Sequence, residues 1–197
     1  MKRVAVLVSG GGTNLQALLD AAATGKLPHG EIALVLASRA GAGALERARK
    51  AGVESLLIER RAYTDSSDFD AALLAALRGH NIDIVVLAGF LSILGPAVLA
   101  AYPDRIVNVH PSLIPSFCGD GFYGLRVHEA VLASGVKLTG ATVHLVNEIT
   151  DGGRILLQKA VEVLPGDTPE ALQQRVMEQA EWLLLPQAVE MLCAGEL

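Results

Sequence analysis

Three short stretches of this chain group side chains that could do chemistry together. The first is Asn108-Val109-His110-Pro111-Ser112. Residues two apart in a strand project to the same face, so Asn108 and His110 would stand side by side. An amide donor next to an imidazole can hold an oxygen that gains negative charge while the imidazole manages a proton. The bland alternative is a buried histidine and asparagine satisfied by backbone.

The second stretch is Asp151-Gly152-Gly153. Asp-Gly is an ordinary turn pair. Its chemical alternative is a carboxylate that orients His110 or a water and raises the imidazole pKa, with His144 as a supporting partner. The third is Ser9-Gly10-Gly11-Gly12-Thr13-Asn14. Glycines let the backbone approach a ligand, and the free N–H groups of a helix start favour a phosphate. A dinucleotide fingerprint starting at Gly10 would need glycine where Leu15 stands, and a Walker loop would need a lysine that is absent here. A mononucleotide phosphate site is therefore preferred over a tight turn in which Thr13 or Asn14 merely caps the helix. Cys118 is expected to be a passive thiol, and Ser38-Arg39 a surface loop.

These residues need a frame. Short β-rich runs alternate with Ala/Leu-rich helical patterns. Strands are predicted over 4–8, 32–37, 54–58, 82–88 and 105–110, with helices over 14–23, 42–51 and 67–78 and a short one opening at Pro96. Such alternation predicts an α/β fold: a mostly parallel sheet with helices on both faces, in one domain spanning 1–197. Ligands of such sheets sit beyond the carboxyl ends of the strands, near the switch in strand order. Each of the first two strands, and the one ending at His110, leads into a stretch singled out above. Residues 111–126 hold two prolines and three glycines and read as a long loop. A helix over 127–134 and strands over 138–146 and 154–163 follow. Thr168-Pro169 then opens a helix, whose Leu172, Val176, Ala180 and Leu184 share a face.

Composition narrows the partners. The chain has 197 residues, 51% of them hydrophobic, and a net charge of -5. That argues against a general nucleic-acid grip or a polybasic membrane anchor. The uncharged run from Ile84 to Tyr102 approaches bilayer-spanning length, but Gly89 and Gly95-Pro96 break it into a strand, a turn and a short helix. Two cysteines without metal-ligand spacing fit a reduced, cytoplasmic setting, and no metal site is expected.

The stretches VLVSGGGTNLQALLDA, LERARKAGV, VVLAGFLSIL, NVHPSLIPSF, TGATVHLVNEITDGGRILLQKAVEV and EWLLLP, in this order, resemble the glycinamide ribonucleotide formyltransferases. The resemblance implies a Rossmann-like formyltransferase fold. It implies transfer of a formyl group from 10-formyltetrahydrofolate to the amine of glycinamide ribonucleotide in purine synthesis. Carried onto this chain, it implies a catalytic trio of Asn108, His110 and Asp151. It puts the nucleotide phosphate at Gly12, Thr13 and Asn14, with Glu181 meeting the substrate amine. The folate falls to Leu91, Ser92, Ile93 and Leu94, with Asn108 and the position of Ser66. The chain departs from the family pattern where arginines are common at the positions of Ser66 and Ser92. It also has a longer loop through Gly119–Gly124, Trp182 in place of a frequent histidine, and one extra residue between Arg175 and Glu181. A formyltetrahydrofolate hydrolase and a non-catalytic nucleotide-binding module are the rival readings. Small molecules are the expected partners, and a homodimer is left open.

Overall fold

The computed structural model describes residues 1–197. Seven strands form one sheet in the order β3-β2-β1-β4-β5-β6-β7. They are β1 (Lys2–Val8), β2 (Gly30–Ala37), β3 (Ser55–Leu57), β4 (Ile84–Leu87), β5 (Ile106–His110), β6 (Leu138–Leu145) and β7 (Ile155–Glu162). β1 to β5 pair in parallel, and β6 and β7 add an antiparallel hairpin beside β5. The mostly parallel sheet expected from the alternation is therefore present, with the hairpin as its exception.

The helices are α1 (Thr13–Ala23), α2 (Gly43–Lys50), α3 (Ser66–Gly79), α4 (Pro96–Ala101), α5 (Leu125–Ser134), α6 (Pro169–Val176) and α7 (Trp182–Ala194). β1 shows why both sheet faces are covered. Its Val4, Val6 and Val8 pack into one apolar cluster with Leu15 and Leu18 of α1, Ala44 of α2 and Leu185 of α7. Its Ala5 and Leu7 point the other way, into a cluster with Phe69, Leu73 and Leu77 of α3 and Val98 of α4. A strand buried on both faces must be apolar without alternation, which is how β1 reads.

The uncharged run from Ile84 to Tyr102 folds as β4, a loop and α4, and no helix is long and apolar enough to cross a membrane. Pro96 occupies the first turn of α4, and the Thr168 hydroxyl caps α6 by accepting from the Ala171 N–H at 3.2 Å. The face of Leu172, Val176, Ala180 and Leu184 is buried, as its spacing predicts. Between α6 and α7, residues Met177–Glu181 form a π-helical turn. A π turn holds an extra residue without breaking the helix. It carries the chain from α6 to Glu181 and α7 without a break.

The loop after β4 is anchored by a residue that the sequence pattern left among ordinary helix positions. Asp70 of α3 is buried, and its carboxylate accepts from the N–H groups of Gly95 (2.8 Å), Ala97 (2.9 Å) and Val98 (3.2 Å). It neutralises the orphan donors at the start of α4. Asp70→Ala is expected to lower unfolding stability by at least about 2 kcal/mol, since buried donors lose a charged acceptor. The readout is a lower urea midpoint with an unchanged slope. Asp70→Asn, which keeps an acceptor, should lose less; equal midpoints for all three proteins would contradict this role.

Candidate active site

β4 and β5 end beside one another, and the chain leaves both toward the same edge of the sheet. A cavity of about 680 Å³ opens there. Its walls include Leu91, Ser92, Ile93 and Leu94 after β4, Asn108 and His110 of β5, His144 of β6, and Asn147–Asp151 before β7. Its volume is in the range of small-molecule sites. Leu91 and Ile93 are exposed at its edge, the apolar surface that a ligand would cover.

Asp151 reaches His110 because β5 and β6 pair antiparallel and the β6–β7 turn folds back over the end of β5. Asp151 adopts a positive φ of 53°, a left-handed conformation that aspartate tolerates. At Gly153 a Cβ would lie 1.7 Å from the Leu145 carbonyl oxygen, so no other residue fits that turn. Asp151 Oδ2 lies 3.5 Å from His110 Nδ1, and Oδ1 lies 3.5 Å from His144 Nε2. The Gly119 N–H donates to Oδ2 at 2.9 Å, which ties the long loop to the same carboxylate.

The tautomers follow from partners that can only accept. The Phe117 carbonyl takes the proton of His110 Nε2 at 2.9 Å, leaving Nδ1 facing Asp151. The Leu145 carbonyl accepts from His144 Nδ1 at 2.8 Å, and His144 Nε2 lies 3.1 Å from the Asn108 amide nitrogen and 3.5 Å from Asp151 Oδ1. Asn108, His144, Asp151 and His110 thus form one connected set at the cavity wall.

Charge in this set is governed by desolvation. Burial lowers the His110 pKa and outweighs the Phe117 carbonyl and the Asp151 carboxylate, which both raise it; His144 adds to the lowering. The sequence expectation that Asp151 would raise the imidazole pKa holds for that pair alone. The net shift is downward, because water is excluded from the strand end. Asp151 itself sits below the ordinary carboxylate value. Burial pushes it up, but the His144 and Gly119 hydrogen bonds and the two imidazoles together pull it down further. His110 is accordingly neutral at rest, with an ionised carboxylate ready for a second proton on Nδ1.

The glycine loop forms a second cluster. Gly12, with a left-handed φ of 76°, is the residue preceding α1, and a Cβ there would lie 2.7 Å from that of Ala44. Neither Thr13 nor Asn14 caps the helix, contrary to the alternative drawn from sequence; both lie inside its first turn. The Asn14 amide instead donates to Glu181 Oε2 at 2.7 Å, and the Asn14 Oδ1 is buried without a partner. Burial raises the Glu181 pKa to about 7 despite that hydrogen bond. Arg47, which sequence reasoning did not single out, donates to the Gly11 carbonyl at 2.8 Å and brings a cation to the loop.

Gly12, Thr13, Asn14 and Glu181 do not line the cavity around His110, nor does Ser66, which opens α3 at the surface. Ser38 corrects another expectation: it is buried, with its hydroxyl 2.7 Å from that of Ser9, because it ends a central strand. Its neighbour Arg39 is exposed and lines the cavity. Burial raises the Cys118 thiol pKa, which fits a passive role. The Phe117 carbonyl and Gly119 N–H were invisible in sequence, since any residue carries those groups.

The fold and this arrangement at its strand ends define a class. A family model described as formyl transferase matches residues 2–189, and the chain belongs to that family. Among similar proteins is the chloroplastic phosphoribosylglycinamide formyltransferase of Arabidopsis thaliana, 39% identical over 98% of this chain and 65% of its own length. Another is the Bos taurus trifunctional purine biosynthetic protein adenosine-3, 42% identical over 98% of this chain but only 18% of its own length. The chain thus spans a little under two thirds of the plant protein. Among solved structures, glycinamide ribonucleotide transformylase 1 from Symbiobacterium toebii superposes with a TM-score of 0.93. It is 44% identical and covers 99% of this chain and 89% of its own. The phosphoribosylglycinamide formyltransferase from Brucella melitensis gives 0.88 at 42% identity, over 98% of this chain and 96% of its own.

One buried group near the site sets a testable pH dependence. His128 of α5 is fully buried, both ring nitrogens lack partners, and burial with the nearby His110 lowers its pKa from 6.5 to about 4. The unfolded chain binds this proton more readily, so the associated stability is intact above pH 6.5 and is lost as pH falls toward 4. Between pH 7 and 4.5 the wild type should lose about 2–3 kcal/mol relative to His128→Leu in urea unfolding. Glu181 shifts in the opposite direction but is common to both proteins. A difference that does not change with pH would contradict the shift.

Proposed function

We propose that this chain transfers a formyl group from 10-formyltetrahydrofolate to the amine of glycinamide ribonucleotide. The observation that carries the reading is the set of Asn108 and buried His110 at the end of β5 with Asp151 from the β6–β7 turn, facing a cavity walled by Leu91–Leu94. When an amine adds to a formyl carbon, charge develops on the formyl oxygen. The second N–H of the Asn108 amide is free to meet it, and a protonated His110 would join by turning its Nε2–H from the Phe117 carbonyl to that oxygen. His110 takes that second proton on Nδ1 from the attacking amine through water, where Asp151 stabilises it, and returns one to the departing tetrahydrofolate nitrogen as the adduct collapses. Asp151 also offers an acceptor for a proton leaving the amine through water.

The apolar Leu91–Leu94 wall and the polar 147–151 turn together fit a folate, which has a flat heterocycle with polar edges. No metal is required for this chemistry. At the other cluster, the N–H groups after Gly12 and the nearby Arg47 suit a phosphate. The unpartnered Asn14 Oδ1 and the Glu181 carboxyl, whose pKa burial raises, suit ligand N–H or O–H groups. The free thiols of Cys118 and Cys193 fit a reducing, cytoplasmic setting.

The test mixes the protein with both substrates and follows release of tetrahydrofolate. Release should require the amine; release without it would indicate a hydrolase, and none would indicate a binding module. His110→Ala is expected to lower kcat about 10²- to 10³-fold, the cost of losing an oxyanion donor. Near-wild-type turnover by that variant would overturn the assignment.

A further inference from the structure

Two segments that the functional reading assigns to different ligands meet at one side chain. The first is the glycine loop after β1, where the N–H groups from Gly11 to Asn14 have no partner within the chain. The second is the wall after β4, which carries the exposed Leu91 and Ile93. Ser9 joins them. Its N–H donates to the Gly89 carbonyl at 3.1 Å, continuing the β1–β4 pairing past the ends of the strands. Its hydroxyl, buried and 2.7 Å from that of Ser38, accepts from the Leu91 N–H at 2.9 Å. Beyond that bond the wall is loosely held. Ser92, Ile93 and Leu94 make no backbone hydrogen bond before the Gly95 N–H reaches Asp70 at 2.8 Å. The wall thus hangs between two tethers, and one of them belongs to the other ligand's loop. That loop is held in turn from α2, where the Gly10 carbonyl accepts from the Ala44 N–H at 3.2 Å and the Gly11 carbonyl from Arg47 at 2.8 Å.

We infer that Ser9 couples the two ligand sites, so that binding at the glycine loop tightens binding at the Leu91–Leu94 wall, and the reverse. The inference rests on the reading above, in which a phosphate occupies the loop and a folate the wall. Ordering a flexible segment costs conformational entropy, and glycine loses the most. Ser9-Gly10-Gly11-Gly12 is such a segment, and a phosphate held by the N–H groups that follow would fix it. Fixing it fixes the Ser9 hydroxyl and, through it, the Leu91 N–H. A folate arriving second then meets a wall already partly ordered and binds more tightly. Linkage makes the factor equal in both directions. Asp70 has no such role, because its carboxylate holds only Gly95 and the start of α4. Ser9 does not line the cavity around His110, so it acts through Leu91 as a positioning residue.

The test is calorimetric titration of tetrahydrofolate with and without saturating glycinamide ribonucleotide, a pair that cannot react because neither carries a formyl group. The readout is the ratio of the two dissociation constants. In the wild type, glycinamide ribonucleotide should tighten tetrahydrofolate about tenfold, and tetrahydrofolate should tighten glycinamide ribonucleotide by the same factor. Ser9→Ala should bring the ratio close to one. Asp70→Asn, which loosens the wall at its other end, should keep it. A structural defect alone would weaken each ligand without moving the ratio. A wild-type ratio of one, a ratio retained by Ser9→Ala, or a loss shared by Asp70→Asn would overturn the inference. A second measurement needs no variant. Hydrogen exchange at the wild-type Leu91 N–H should slow about tenfold when glycinamide ribonucleotide binds, and the Gly95 N–H should change less. Unchanged exchange at Leu91 would sink the inference even if Ser9→Ala fails to fold. Formyl transfer is measured separately. Coupling without transfer would leave the inference standing and remove the functional reading, and transfer without coupling would do the reverse. Binding of neither ligand would remove both.

Discussion

Asp151 is a carboxylate with little access to water, and the site depends on keeping it ionised there. An isolated buried carboxylate would take up a proton. Here the imidazoles of His110 and His144 stand on either side, and the Gly119 N–H occupies one oxygen. Each partner comes from a different element: β5, β6 and the long loop after β5. The same exclusion of water that strengthens these contacts depresses the His110 pKa. The result is a neutral imidazole beside a fixed negative charge, a pairing suited to taking up a proton briefly and returning it.

The architecture serves that pairing in two layers. The parallel strands β1 to β5 place β4 and β5 side by side with their carboxyl ends together, which opens the cavity. The antiparallel β6–β7 hairpin then folds a turn back over β5, which no parallel crossover of similar length could do. Asp70 from below and the Ser9–Ser38–Leu91 bonds from the side hold the intervening wall. The apolar wall residues are thus mounted on a rigid base although their side chains are exposed.

Much of this was legible along the chain, for reasons that differ by element. β1 and β4 read as strands because strands buried on both faces must be uniformly apolar. Thr168-Pro169 announced α6 because a hydroxyl cap and a missing N–H both suit a helix start. Asn108 and His110 stood out through strand geometry; Asp151 was offered as a partner of His110 against an ordinary Asp-Gly turn, and the family resemblance favoured the partnership. The roles of Phe117 and Gly119 were not legible, since they act through backbone groups. Asp70 was hidden because a charged residue in a helix reads as solvated until its neighbours are known; its position among Phe69, Leu73 and Leu77 was the available signal. Ser38 was misread as a surface residue because the pairing of β2 beside β1 was not available, whereas Arg39 is exposed as expected.

By itself the sequence determined the alternation of strands and helices, the positions that must be glycine or apolar, and the identity of the groups able to do acid–base chemistry. Periodicity, turn preference and side-chain type are local properties, and they survive without knowledge of the fold. Tertiary structure decided which groups meet and how each is charged. It joined Asp151 to His110 and His144, and Asn14 to Glu181. It gave Arg39 a cavity to face. Those outcomes depend on strand order and on exclusion of water, which arise only when residues distant in the chain pack together.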